Sequence, residues 1–117
     1  MRLKAVLFGC AAMLAHASAM ATSPVFEQAV LDGCKEESNA AGEIMTMRQD
    51  GIPMSELMDL IRKSPTAEVR IQHFVVSAYE VPRFMPYERR KLVADEFKNH
   101  MYSECLSRHA EGQAYSP

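Results

Sequence analysis

The cysteines place the strongest constraint on how this 117-residue chain can fold. Cys10 lies in an N-terminal segment that we expect to be removed on export, which leaves Cys34 and Cys105 near the two ends of the mature chain. An exported domain with two cysteines typically joins them in a disulfide. The bond would link the first helix to the last and restrict the unfolded chain by roughly 4 kcal/mol. There is no Cys-x-x-Cys motif, and no histidine at zinc-finger spacing from Cys34, to indicate a redox or metal role.

The first 21 residues have the layout of a secretory signal peptide. Arg2 and Lys4 are positively charged, residues 5–15 form an apolar run, and the small-residue stretch HASAMA ends at Ala21. The run is shorter than the about 20 residues that a membrane-spanning helix needs, and no later segment is apolar enough to span a membrane. We therefore predict cleavage after Ala21, with Ala19 as the second choice, and a periplasmic or secreted protein.

A lipoprotein signal is the competing interpretation, because LFGC at residues 7–10 loosely resembles the motif before a lipid-modified cysteine. Two features disfavour it. Phe8 is large where that motif has a small residue, and the apolar run continues to Leu14. Removing the signal peptide takes 2 of the 13 basic residues and leaves 11 against 15 acidic ones, a net charge of −4. This acidic balance argues against nucleic acid as a partner.

Hydrophobic periodicity predicts an all-α domain of four helices over residues 22–110. The first helix is predicted to begin with Ser23 as its cap and Pro24 in its first turn, and to end at Gly51. Acidic and amide side chains fall on its outer face. Its predicted buried face consists of Phe26, Val30, Cys34, Ala41, Ile44 and Met45.

A short second helix is predicted from Pro53 to Lys63. Its proline suits a first turn, and its basic end suits the negative end of the helix dipole. Ser64 and Pro65 repeat the cap signal, so we expect a third helix to start at residue 65. The apolar stripe of the second helix is predicted to consist of Leu57, Leu60 and Ile61.

The third segment, residues 69–79, is ambiguous between a helix and a strand, because its β-branched residues favour a strand. A lone strand would have no partner here, and an unpaired edge is unfavourable. We therefore predict a helix, and the most buried of the four. Its buried face would contain Ile71, Phe74, Val75 and Ala78.

The last helix is predicted over residues 86–109, after two X-Pro steps that favour an extended connection. Residues 111–117 are predicted to form a flexible tail. Apolar side chains recur along the helix at a strict four-residue step, which gives it one buried face. They are Val93, Phe97, Met101 and Cys105.

The connection before the last helix is rich in side chains that anchor protein interfaces. Residues 79–87 combine two prolines, two tyrosines, a phenylalanine and an arginine. Tyrosine and arginine are common interface anchors, and prolines lower the entropy that is lost on binding. The simpler alternative is that Phe84 and Met85 close the end of the bundle. The candidate interaction residues are Tyr79, Pro82, Arg83, Phe84 and Tyr87.

Four methionines between residues 45 and 58 are a candidate copper site, because thioethers bind Cu(I). Methionine more often fills gaps in a small core, which is the interpretation that we favour. The histidines and the basic run 89–91 are expected on a solvated surface, and no catalytic motif is present. We therefore predict no catalytic residue, no metal site and no cofactor. The methionines are Met45, Met47, Met54 and Met58, and the histidines are His73, His100 and His109.

A set of short motifs spread over nearly all of the mature chain carries a resemblance. It consists of Cys34, residues 47–54, residues 78–83, Phe97 and Cys105. With these motifs the chain resembles a group of short exported proteins of proteobacteria, such as pseudomonads, to which no activity is assigned. The resemblance implies a Gram-negative envelope setting. In size, export, helical content and a single disulfide, the chain is also similar to acid-stress periplasmic chaperones of the HdeA type, without a shared motif.

These features predict an exported, non-enzymatic module that binds an envelope protein or associates with itself. The first alternative is an acid-stress holdase chaperone. The 15 carboxylates would lose their charge at low pH and leave a strongly positive chain, which would loosen a small bundle. The methionine-based copper binder is the second alternative.

Overall fold

The computed structural model describes residues 25–64 and 69–114, and within these ranges the chain is helical and contains no strand. The predicted all-α fold of four helices is confirmed. The predicted signal peptide, the helix start at residue 65 and the end of the tail at 115–117 lie outside the described residues. The helices are α1 (Gln28–Asp50), α2 (Met54–Arg62), α3 (Val69–Glu80) and α4 (Tyr87–Ala114).

The two long helices, α1 and α4, pack against each other in antiparallel orientation. At one end the predicted disulfide joins Cys34 to Cys105 with their Cα atoms 5.5 Å apart. At the other end Arg90 lies 3.6 Å from the carboxylate of Asp50. Between them the helices approach closely at Gly42, where an added Cβ would lie 3.3 Å from the Cβ of Lys98.

Helix α3 packs on a second side of α1 and runs parallel to it, and α2 packs against α3. The parallel direction follows from two contacts, since Arg70 at the start of α3 binds Glu37 and Tyr79 near its end lies beside Arg48. All four helices bury apolar side chains in one core. That core contains Ala41, Ile44, Met45, Leu57, Phe74, Val75, Ala78, Ala94, Phe97 and Met101.

The ambiguous third segment forms a helix, as predicted, and buries Phe74, Val75 and Ala78 with Ile71 half-buried beside them. Helix α3 does not stand out as the most buried helix. It buries three of its 12 residues and exposes Val69 and Val76, while α1, which contacts both α3 and α4, buries six of its 23.

The first helix starts later than its cap signal predicted. It begins at Gln28, and Glu27, with φ −64° and ψ 150°, precedes it in extended conformation. Ser23 and Pro24, the predicted cap and first-turn residue, lie outside the described residues, and Val25 is almost fully exposed. The helix ends as predicted at Gly51, which has φ 91°.

Two further predictions, the apolar stripe of α2 and the end of α4, differ from the structure. In α2, Leu60 is 53 % exposed, because this nine-residue helix packs on one side only and uses a narrower stripe than we predicted. The side chains that meet the core are Met54, Leu57, Met58 and Ile61. Helix α4 continues to Ala114, so the predicted tail starts later than residue 111.

Candidate functional site

A buried glutamine fixes the connection between α3 and α4. Gln49, in the last turn of α1, is only 1 % exposed. Its Nε2 donates to the carbonyl of Pro82 at 3.0 Å, and its Oε1 accepts from the backbone N–H of Phe84 at 2.9 Å. One side-chain amide thus satisfies a backbone donor and a backbone acceptor of the loop. Gln49 was not predicted from the sequence, although its four-residue step from the buried Met45 places it on the same face of α1.

Arg83 holds the same loop from the other direction. Its Nε donates to the carbonyl of Gln49 at 2.8 Å, and its Nη2 donates to the carbonyl of Asp50 at 3.2 Å. The last carbonyls of a helix have no partner within the helix and carry partial negative charge. The guanidinium therefore caps the C-terminus of α1 with both hydrogen bonds and charge.

Tyr79 and Arg48 tie the end of α3 to the end of α1. The hydroxyl of Tyr79 donates to the carbonyl of Ile52, and the guanidinium carbon of Arg48 lies 4.8 Å from the centre of the Tyr79 ring. The Nε of Arg48 also donates to the carbonyl of Val81 at 3.3 Å. Burial raises the pKa of the Tyr79 hydroxyl above its ordinary value, Arg48 lowers it, and Glu56 raises it.

Two large hydrophobic side chains of this anchored connection remain at the surface. Met85 is 82 % exposed and Tyr87 is 67 % exposed, while Phe84 is half-buried and carries the Arg89 guanidinium 4.8 Å from its ring centre. The alternative that Phe84 and Met85 together close the bundle is therefore wrong for Met85. We call Phe84, Met85, Tyr87 and Arg89 the junction surface.

A pocket of about 260 Å³ opens beside the junction surface. Arg90 lines it, and its Nε is the one buried side-chain N or O atom in the described part of the chain that has no hydrogen-bond partner. The pocket is lined by Thr46, Gln49, Asp50, Tyr87, Arg90, Lys91, Ala94 and Asp95.

The predicted interaction residues therefore divide into two groups. Tyr79 and Arg83 bind backbone carbonyls of their own chain, so their polar atoms stabilise the loop. Pro82 is exposed, but its carbonyl is bound by Gln49. Phe84 and Tyr87 contribute to the outer surface. Local sequence could not show which of these residues bind their own chain, because the backbone groups that they bind lie about thirty positions away, in α1 and just after it.

The conformation of Gly51 can be tested with a matched glycine. Gly51→Ala places a Cβ 2.7 Å from the Arg83 guanidinium at positive φ, so we expect a loss of about 2 kcal/mol in the free energy of unfolding. Gly33 lies inside α1 with no atom within 4 Å of an added Cβ, and Gly33→Ala should gain about 1 kcal/mol. Urea denaturation measures both. A loss for both variants, or for neither, would contradict this account.

The raised pKa of Tyr79 predicts a pH dependence of stability. The folded state holds the phenolic proton more tightly than the unfolded chain does, so the contribution is complete below pH 10 and is lost as the pH rises above it. Tyr79→Phe should cost about 1 kcal/mol at pH 8, and this difference should shrink by pH 11. The exposed Tyr87, changed to Phe, serves as control. A Tyr79→Phe difference that stays constant with pH would contradict the prediction.

The four methionines lie in or against the core and His100 lies at the surface, as we predicted. Met45 is buried, and Met47, Met54 and Met58 are half-buried against the core. His100 pairs with Glu104 at 3.2 Å on the surface of α4. These groups therefore have structural or solvated surroundings. His73, Arg89 and Lys91 are exposed, and Arg90 is half-buried.

A second polar cluster lies at the disulfide end. The carboxylate of Glu37, one turn after Cys34, accepts from Arg70 of α3 and from Arg108 of α4, the latter at 2.8 Å. One side chain of α1 thus ties both neighbouring helices. His109 lies beside the disulfide at a four-residue step from Cys105. His109 was not predicted to lie near the cysteines, although it follows Cys105 by one helical turn.

Comparisons with protein-family models, with curated proteins and with solved structures find no match. Among the described helices, none combines the length and apolar character that crossing a membrane requires.

Proposed function

We propose that this is an exported, non-enzymatic module that binds a protein through the junction surface. The observation that carries the proposal is the contrast between a loop backbone fixed by the buried Gln49 and the exposed Met85 and Tyr87 that this backbone displays. A surface that is already ordered loses little entropy when it binds. Methionine, tyrosine and arginine are also enriched at protein interfaces.

The charges around the junction surface support a partner with acidic groups. Within the described residues, Arg83, Arg89 and Lys91 form no ion pair with a carboxylate. Arg90 adds the unsatisfied Nε beside Tyr87. A partner that places an apolar side chain on Met85 and a carboxylate near these cations would bury the exposed methionine and pair with the positive charges.

Export is the part of the proposal that rests on the sequence. Residues 1–21 have the layout of a signal peptide, and a disulfide of this kind persists in oxidising compartments. The module would then meet its partner in the periplasm or outside the cell. The partner is an envelope protein or a second copy of the chain.

Site-specific photo-crosslinking in the cells that make the protein tests the proposal. A photoreactive residue at position 85 or 87 should give one discrete product, whose mass identifies a second copy or another protein. The same residue at position 60, also exposed but on α2, should not give it. Arg89→Glu should weaken the product from position 85. Equal products from positions 60 and 85, or none from 85, would overturn the proposal.

The holdase remains a second candidate because of Glu37. Loss of the Glu37 charge would remove its ion pairs to Arg70 and Arg108 together and free α3 from α1 at that end, where the Cys34–Cys105 disulfide still holds α4. A holdase should then expose apolar surface and suppress client aggregation near pH 3. Glu37→Gln should expose that surface at higher pH, whereas Glu43→Gln, on the exposed face of α1, should not. A wild-type chain that stays compact at pH 3 would remove this candidate.

A further inference from the structure

The disulfide end brings a third ligand-type side chain up to the two cysteines. The Sγ atoms of Cys34 and Cys105 and a ring nitrogen of His109 all lie within 4.8 Å of one another. Cys34 comes from α1, and the other two residues lie one turn apart on α4. Among the described residues, these three side chains are the one group of His, Cys, Asp or Glu whose ligand atoms lie close enough together to hold a metal ion.

We propose that the reduced form of the protein binds one Zn²⁺ through Cys34, Cys105 and His109. Two thiolates and one imidazole are a ligand set that zinc accepts, with the fourth position left to water. Thiolate and imidazole also favour zinc over the harder ions Mg²⁺ and Ca²⁺. The cysteines are buried and His109 is exposed, so the open position and the path of entry lie on the histidine side.

The site is controlled by the redox state of the cysteines. While the S–S bond stands, neither sulfur is a thiolate, and thiolates are what zinc binds. A dithiol reductant supplies two electrons and two protons, breaks the S–S bond and itself becomes a disulfide. Zn²⁺ then displaces the two thiol protons, which leaves a neutral unit of one metal ion and two thiolates.

The surrounding contacts keep the ligands together after the bond is broken. Glu37 and Arg108 lie one turn beyond Cys34 and Cys105 respectively, and their 2.8 Å contact joins α1 to α4 without the disulfide. The close approach at Gly42 is also independent of it. Zn–S bonds of about 2.3 Å in a tetrahedral site place two sulfurs about 3.8 Å apart, within the present spread of the ligand atoms.

Zinc binding to the full chain tests the proposal, with Cys10→Ser in every sample so that two thiols remain. After anaerobic reduction and removal of the reductant, equilibrium dialysis should find one Zn²⁺ per chain, and the oxidised chain should bind none at that site. His109→Ala should weaken binding by more than about tenfold, since even indirect partners of a metal have effects of that size. His100→Ala, an exposed histidine of the same helix, should leave binding unchanged.

Co²⁺ in place of Zn²⁺ gives a second readout, because a thiolate-bound ion has charge-transfer absorption that surface carboxylates do not produce. If the reduced chain loses helix, Zn²⁺ should restore it, since metal binding and folding are then one equilibrium. Failure to bind or to restore helix would overturn the proposal. So would equal binding by the oxidised chain, or binding that His109→Ala leaves unchanged.

Discussion

Replacing Cys34 and Cys105 together by serine is expected to lower the free energy of unfolding by about 4 kcal/mol. The two cysteines are 71 positions apart, so the bond closes a loop that includes most of the described chain. In the chain-entropy model a longer loop restricts the unfolded state more. Small domains are typically stable by about 5–15 kcal/mol, so this loss is a large share of the total.

Urea denaturation of wild type and double variant, in the presence and absence of reductant, measures this effect. All samples carry Cys10→Ser. Reductant should lower the wild-type stability to that of the variant and leave the variant unchanged. Before reductant is added, the wild-type chain should not react with a thiol-alkylating reagent. Full alkylation of the unreduced protein, or a variant as stable as the wild type, would contradict the prediction.

Gln49→Leu is expected to lower the free energy of unfolding by about 3 kcal/mol. Leucine fills a similar volume but cannot donate to the Pro82 carbonyl or accept from the Phe84 N–H. Both backbone groups then lose their partner in a part-buried place, and each such loss typically costs about 1–3 kcal/mol. The loop should become mobile as well as less stable.

The matched control is Gln28→Leu, at an exposed glutamine at the start of α1 whose side chain donates a hydrogen bond to Asp32 in the same helix. Its stability should change by less than about 0.5 kcal/mol. Hydrogen exchange gives a local readout, because the Phe84 amide should exchange faster in Gln49→Leu alone. Equal effects of the two substitutions on stability, or an unchanged Phe84 amide, would show that the buried amide does not hold the loop.

Gln49 also links stability to the proposed function. Met85 and Tyr87 are displayed by a backbone that Gln49 and Arg83 hold in place. Gln49→Leu should therefore reduce photo-crosslinking from position 85 without changing the junction surface itself. Met85→Ser changes the surface but not its support. If only the surface variant reduces the crosslink, preorganisation of the loop is not part of binding.

Much of the fold could be predicted from residue spacing. The turns at Gly51 and at residues 81–86, the helical character of residues 69–79 and the pairing of Cys34 with Cys105 all follow from local signals and the expected compartment. The errors arose where packing decided the outcome. Leu60 matched the helical period but is 53 % exposed, because α2 packs on one side only, and α1 begins at Gln28, later than its cap signal predicted.

Less of the candidate site could be predicted. The composition of residues 79–87 pointed to the segment that we propose as the binding site, and that proposal stays untested. Tyr79 and Arg83, which we expected to face a partner, bind carbonyls of Ile52, Gln49 and Asp50. A polar side chain is held by its partner, and these partners lie 27 to 34 positions away. No local sequence pattern indicates which distant residue will be the hydrogen-bond partner.

The sequence by itself determined the four helices, their apolar faces and the cysteine pair, because helix formation and amphipathic burial depend on residues three and four positions apart. The tertiary structure alone decided that Gln49 is buried under a loop, that Met85 and Tyr87 stay exposed, and that His109 meets the disulfide. The physical reason is that hydrogen bonds and ligand geometry depend on atoms brought together by packing. Neighbours along the chain cannot specify which distant helix supplies them.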